Sequence, residues 1–201
     1  MGKMRTREAV GIRTLDGIVR DFRKRLGPEG PMEAGYMQWI RESGSLNVAI
    51  DRSVMSTKPD GKRHNHQSRV KMGVLMQLGV RLKREGGVIR GFNLFDDLLT
   101  LVTAVAPKGI GPVTAYDVAQ RVGEYLNVYP ERVYLHAGVR VGAVALLGRE
   151  VVGMRGGGFL LREDFPPELH TLTCNEIEDL VCIYSHMLGS IRYEGKGRSR
   201  G

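Results

Sequence analysis

An all-α fold of about seven helices is what this sequence predicts, and three observations carry the expectation. Apolar residues recur at three- and four-residue spacings over most of the chain, proline and glycine clusters punctuate those stretches, and a capping sequence stands before the last of them. With 201 residues and 42% hydrophobic content there is enough apolar surface for a real core. No linker or internal repeat divides the chain, so one compact domain over 1–190 is expected.

The first helix is expected from Met4 to Leu26, where Val10, Ile12, Leu15, Ile18, Val19, Phe22 and Leu26 form one face between arginines and lysines. Gly27-Pro28-Glu29-Gly30-Pro31 breaks it. A second helix runs from Met32 to about Val54 and turns Tyr36, Trp39, Ile40, Leu46 and Ile50 inward, with Gly44 as the weak point. Ser56 to Gln67 reads as an exposed basic loop, since it is polar and carries Pro59-Asp60-Gly61. A third helix follows over Ser68 to Glu85, with Val70, Val74, Leu75, Leu78 and Leu82 on one face, and Gly86-Gly87 ends it. Asn93 and Asp96 stand at capping-box spacing before a fourth helix. Pro112 suits the first position of the fifth, which runs to about Leu126. Pro130 opens a sixth, rich in small residues (Ala137, Gly138, Gly142, Ala143, Ala145) that permit close helix packing. Thr173-Cys174-Asn175-Glu176 is a capping box for the last helix, 173–189, and the tail over 191–201 is too polar to pack.

The net charge of +8 and a pI near 9.7 favour a polyanionic partner. Residues 1–90 hold 19 Lys and Arg against 9 Asp and Glu, a balance of +10, while residues 91–201 stand at −2. A broad basic footprint therefore belongs to the amino-terminal half. Cys174 and Cys182 form no Cys-x-x-Cys pair and read as reduced thiols. Met1-Gly2-Lys3-Met4-Arg5 leads into charged residues rather than a secretory signal, and no apolar run approaches the ~20 residues of a membrane span. A cytoplasmic protein without a membrane partner, cofactor or metal is expected.

The most specific segment is Lys108-Gly109-Ile110-Gly111-Pro112-Val113-Thr114-Ala115, a glycine-apolar-glycine turn between two helical stretches. Two glycines let the turn adopt positive φ. The same turn presents unpaired N–H groups at the start of the next helix, where a phosphate is favoured by those donors and by the helix dipole. Ile110 is expected to anchor the turn, and Thr114 and Ala115 to keep the helix slim. The pattern closely resembles a helix-hairpin-helix.

Extended through Arg132-Val133-Tyr134-Leu135-His136-Ala137-Gly138-Val139-Arg140-Val141, the match over about 93–147 resembles the core of the helix-hairpin-helix base-excision DNA glycosylases. That resemblance implies a helical fold that grips the DNA backbone. In its bifunctional members a lysine nucleophile precedes the Thr-Ala pair; here the position is Val113. The family's catalytic aspartate falls on Tyr134, while His136 matches its histidine. A carboxylate stabilises the positive charge left on the sugar when a base departs, and a phenol with a pKa of about 10 does this poorly. Asp117 and Glu131 flank the site as substitutes, although Asp117 also suits a local pair with Arg121 and Glu131 a helix N-terminus.

His136, Arg140 and Tyr134 form the polar cluster to test. Lys62-Arg63-His64-Asn65-His66 lacks the separated ligands of an HNH nuclease or metal site and reads as loop or phosphate contact. Arg155-Gly156-Gly157-Gly158 lacks the Lys-Ser/Thr of a phosphate loop. The leading expectation is sequence-independent DNA binding through Lys108, Gly109, Ile110, Gly111, Val113 and Thr114, extended by Lys62, Arg63, Arg69 and Arg140. Two other readings stay open: a divergent glycosylase with a centre rebuilt from Tyr134, His136, Asp117 or Glu131, and a protein-interaction module in which the glycines serve helix packing alone.

Overall fold

The structure is a computed structural model, described here for residues 12–26, 31–57, 61, 63, 67–154 and 158–191. It is mostly helical, as the sequence predicts. Among the described residues the helices are α1 (Leu15–Leu26), α2 (Pro31–Arg41), α3 (Leu46–Met55), α4 (Met72–Arg84), α5 (Gly86–Ile89), α6 (Phe95–Val105), α7 (Pro112–Leu126), α8 (Ala137–Leu147), α9 (Arg149–Met154), α10 (Cys174–Ile183) and α11 (Ser185–Leu188). Strands β1 (Val133–Tyr134) and β2 (Phe159–Leu160) form a two-stranded antiparallel sheet with Val133 opposite Leu160. Eleven helices replace the expected seven because several periodic stretches are broken and some of the pieces are single turns. Residues group into two compact units, one over Pro31–Pro130 and one joining Gly2–Gly30 to Glu131–Gly201. None of the described helices is long and apolar enough to cross a membrane.

In the Pro31–Pro130 unit, α7 packs against α2, α3 and α6. It buries Ala115, Val118, Ala119 and Val122 against a core that includes Tyr36, Ile40, Ile50, Leu98 and Val102. The stretch expected as one helix from Met32 to Val54 is two, because the chain turns through residues 42–45 and Ser45 caps α3 by accepting from Val48 N–H at 3.4 Å. The two are riveted together: Tyr36 donates its hydroxyl to Arg52 O at 2.7 Å, and Arg52 donates to Trp39 O and to Ser43 Oγ. The third expected helix, α4, does end just ahead of Gly86-Gly87, with Glu85 as its C-cap, but the two glycines then open a further turn, α5, rather than forming a left-handed cap. Asn93 is one residue too early to cap α6. Leu94 takes that position without a side-chain bond, and Asp96 and Asp97 instead place negative charge in the first turn. α7 stops at Asn127, left-handed at φ 57°, and Val128 N–H returns to Gly123 O at 2.9 Å.

The second unit is built on α8, which packs against α9, α10 and α11. Its small residues permit the expected close approach. A Cβ on Gly142 would lie 1.8 Å from the Val181 carbonyl oxygen, and one on Gly138 would lie 2.4 Å from Cys182 Sγ. α1 adds Leu15, Ile18, Val19 and Phe22 to the same core as Val139, Ile177, Leu180 and Leu188. The helix expected from Pro130 does not begin there. Val133 and Tyr134 are extended, Leu135 N–H is taken by Gly158 O at 2.7 Å, and α8 starts only after His136. Thr173 and Glu176 form the expected capping box, with Thr173 N–H to Glu176 Oε2 at 2.7 Å and Glu176 N–H to Thr173 Oγ1 at 3.3 Å. The expected helix over 173–189 divides at Tyr184. The buried Tyr184 hydroxyl donates to Asp21 Oδ2 at 2.7 Å, and Asp21 Oδ1 receives Arg25 Nε at 2.7 Å.

Two outcomes follow from this packing. Gly142→Ala should cost about 3 kcal/mol in urea unfolding, because its neighbour is backbone that cannot swing away, whereas Gly87→Ala, with open space around it, should be neutral or stabilising. Burial first, and then the bond to Asp21, hold the Tyr184 phenol above its ordinary value. Its contribution is therefore complete below the unfolded value of about pH 10 and is lost as pH rises toward the folded one. The stability gap between the wild type and Tyr184→Phe should narrow above that pH, as read by chemical unfolding across an alkaline series.

Candidate nucleic-acid interface

α6 and α7 are joined by Ala106-Pro107-Lys108-Gly109-Ile110-Gly111. Ile110 N–H closes the turn on Pro107 O at 3.1 Å, and Gly109 sits at φ 106°. Gly111 is the N-cap of α7 at φ −87° and ψ 168°, with no side-chain cap, and Pro112 opens the helix. The first internal bond is Ala115 N–H to Gly111 O at 3.0 Å. The N–H groups of Gly111, Val113 and Thr114 meet no acceptor among the described residues. Three donors therefore gather at the positive end of a 15-residue helix.

The two glycines have different grounds. Gly109 is required by its backbone angle, and a Cβ there would also touch Val74 at 3.5 Å. Gly111 has a backbone angle open to any residue, and a Cβ on it would meet nothing within 4 Å. Its missing side chain leaves the amide cluster uncovered. Lys108, Gly109, Gly111 and Pro112 are exposed, Ile110 and Val113 are half-buried, and Thr114 and Ala115 lie in the core. Ile110 thus anchors the turn only in part.

α4 flanks the turn. Val74 faces Gly109, and Arg81 donates to Val105 O at the end of α6, at 3.0 Å. Lys71, one helical turn before Val74, is exposed, as is Arg69. Arg63 is half-buried and donates to Gln67 O at 2.6 Å, which occupies part of its guanidinium. Lys62, His64, Asn65 and His66 lie outside the described residues, as do Arg155, Gly156 and Gly157. The arginines of α1 belong to the other unit, where Arg23 donates to Thr171 O and Oγ1, both at 3.0 Å, and Arg25 holds Asp21.

Of the catalytic candidates, Tyr134 and His136 are brought together in the second unit around a residue the sequence did not flag. Glu178 of α10 is buried, accepts Tyr134 N–H at 2.6 Å and stands 3.6 Å from His136 Nε2. The signal was present. Glu178 falls on the inward stripe Cys174, Ile177, Val181, one residue of which is a carboxylate. His136 is the N-cap of α8, and Arg140 N–H bonds to its carbonyl at 2.9 Å while the Arg140 side chain is exposed. Glu131 is exposed ahead of β1, away from any helix start, and Asp117 is half-buried on α7. Arg121, the partner expected for Asp117, turns to Gln67 Oε1 at 2.6 Å. Burial pushes both the Cys174 and Cys182 thiols above their usual range, which suits packing rather than nucleophilic chemistry. Among the described residues no cluster of three or more His, Cys, Asp or Glu is placed to hold a metal ion.

No family model, curated protein or solved structure matches the chain.

The difference between the glycines is measurable without any ligand. Gly109→Ala should lose at least about 1 kcal/mol to backbone strain, while Gly111→Ser, which keeps a favourable N-cap, should leave the unfolding free energy within about 0.5 kcal/mol of the wild type and Gly111→Val should cost no more than about 1 kcal/mol through the lost cap.

Proposed function

We propose that the Pro31–Pro130 unit binds DNA without reading its sequence, holding one or two phosphates at the Gly109–Gly111 turn. The observation that carries this reading is Gly111, an N-cap whose backbone angle and open surroundings do not require a glycine, at the mouth of three unpaired N–H groups. A phosphate oxygen can approach such a backbone closely, and contacts of this kind position a protein without discriminating bases. Lys108 beside the turn, with Lys71 and Arg69 on the α4 side, supplies cationic side chains in the same unit. The alternative in which the glycines serve helix packing alone finds support at Gly109 but none at Gly111.

A second reading, base release by a rebuilt glycosylase centre, is favoured by the Glu178–His136 pair, since a buried carboxylate beside a histidine is an acid–base unit. It belongs to the other unit and stands or falls separately.

The test is a salt series of binding to duplex, single-stranded and abasic-site DNA. Binding to the backbone should weaken steeply as salt rises, with Lys108→Ala lowering the log–log slope by about 1. Gly111→Val should weaken binding about tenfold or more, the cost of about 1.4 kcal/mol in contacts, at a temperature where both proteins are fully folded. A flat salt response sinks the DNA reading, and a base-release assay on the same samples, lost in Glu178→Gln, decides the second.

A further inference from the structure

α4 turns its wide apolar side, Leu75, Leu78 and Leu82, onto α3 and α6, yet it carries a second apolar stripe on the side that faces solvent. Met72, Met76 and Val80 follow one another at four-residue spacing and are 42%, 59% and 50% exposed. They stand on one ridge of the helix, about 12 Å from first to last. Gly73 beside this ridge is exposed, with nothing within 4 Å of the place a Cβ would take. Further along, Met76, Gln77, Val80, Arg81 and Arg84 line a shallow open groove. Its rim is basic. The exposed residues of α4 include no Asp or Glu, and while Lys83 holds Asp51 at 2.6 Å, Arg84 has no carboxylate partner among the described residues.

We propose that this groove docks an amphipathic helix of a partner protein, one with apolar residues at three- and four-residue spacing and a flank of Asp or Glu. The face itself selects that occupant. The side of a regular helix offers no unpaired backbone N–H or C=O, so an incoming segment must satisfy its own, as a helix does and an isolated strand does not. A four-residue ridge with a groove beside it is also the relief into which the side chains of a second helix interdigitate. Two of the three apolar positions are methionine, whose unbranched thioether side chain moulds to a partner's surface. Charge then fixes the sign, since Arg81 and Arg84 at the end of the groove attract carboxylates and repel a basic helix. A second copy of this chain, presenting the same face, would add like charge to like charge. An anionic bilayer would meet a stripe one residue wide without Leu, Phe or Trp, and DNA phosphates gain nothing from methionine. The surface is separate from the phosphate-binding turn, because Val74, which faces Gly109, lies roughly 160° around the helix from Met76.

The probe is a designed peptide of about 18 residues, long enough to hold a helix, with leucines at that spacing and glutamates between them. Titrated with the full chain, its fluorescence anisotropy should report saturable binding, and the amide NMR signals of Met72, Met76, Val80 and Arg84 should shift. A scrambled peptide, and one with lysine in place of glutamate, should each bind at least about tenfold more weakly. Met76→Ser combined with Val80→Ser should lose about tenfold or more, and Arg84→Glu should move the preference toward the lysine peptide. Gly111→Val should bind the peptide as the wild type does, which keeps this surface distinct from the DNA reading. Should the double serine variant not fold, the Arg84→Glu switch and the wild-type shift map remain decisive. No saturation by about 1 mM peptide, equal affinity for the scrambled peptide, or shifts confined to other elements overturns the proposal. So does binding to phosphatidylserine vesicles, or self-association in the ultracentrifuge, that the serine variant abolishes.

Discussion

The Pro31–Pro130 unit depends on burying α7 against three other helices although it carries charged side chains inward. A helix packed on α2, α3 and α6 has few solvent-facing positions, so Arg121 and Glu124 are desolvated along with Val118 and Val122. Neither charge is tolerable alone. Glu124 is met by Arg41 from α2, while Arg121 is met by Gln67, Ser53 O and the Tyr36 ring, and these partners fix the approach of the surrounding elements. Fixing α7 in turn fixes where its first turn emerges. The uncapped amides at Gly111, Val113 and Thr114 are thus aimed by contacts two or three helical turns away, and a rigid helix transmits that placement to the surface.

The same logic separates the two glycines of the turn. Gly109 belongs to the architecture, because only a residue without a Cβ adopts φ 106° without strain while Val74 stands over it. Gly111 belongs to the surface. Between them Ile110 is half-buried, and Lys108 just before them is exposed, so a single turn carries one glycine required by the fold, one open to solvent, and a basic side chain beside them.

Helical class, the hairpin turn, Pro112 at a helix start, the Thr173 capping box and the close packing by Gly142 were legible in the sequence, because each rests on chemistry within a few residues. Breaks were harder. The split between α2 and α3 and the short α5 follow from tertiary packing that overrides a continuous apolar period. β1 departs from the expected helix on similar grounds, since β2 and Glu178, both remote in sequence, take the backbone groups of its two residues. Glu178 and the Arg121–Gln67 pair escaped notice because a charged residue on a helix reads as solvated by default. Only its place on the inward stripe distinguishes it, and its partner lies 44 or 54 positions away.

The unit that holds α1 is discontinuous in the chain, with residues 31–130 inserted into it. During synthesis α1 leaves the ribosome long before Leu169, Ile177 and Leu188, the residues that share its core. At ordinary elongation rates that interval is on the order of ten seconds. The apolar face of Leu15, Ile18 and Phe22 is without its partners for that time, while the intervening unit is complete once Pro130 has emerged. The chain topology thus lets the middle unit complete its own core during synthesis before the apolar face of α1 meets the residues that cover it.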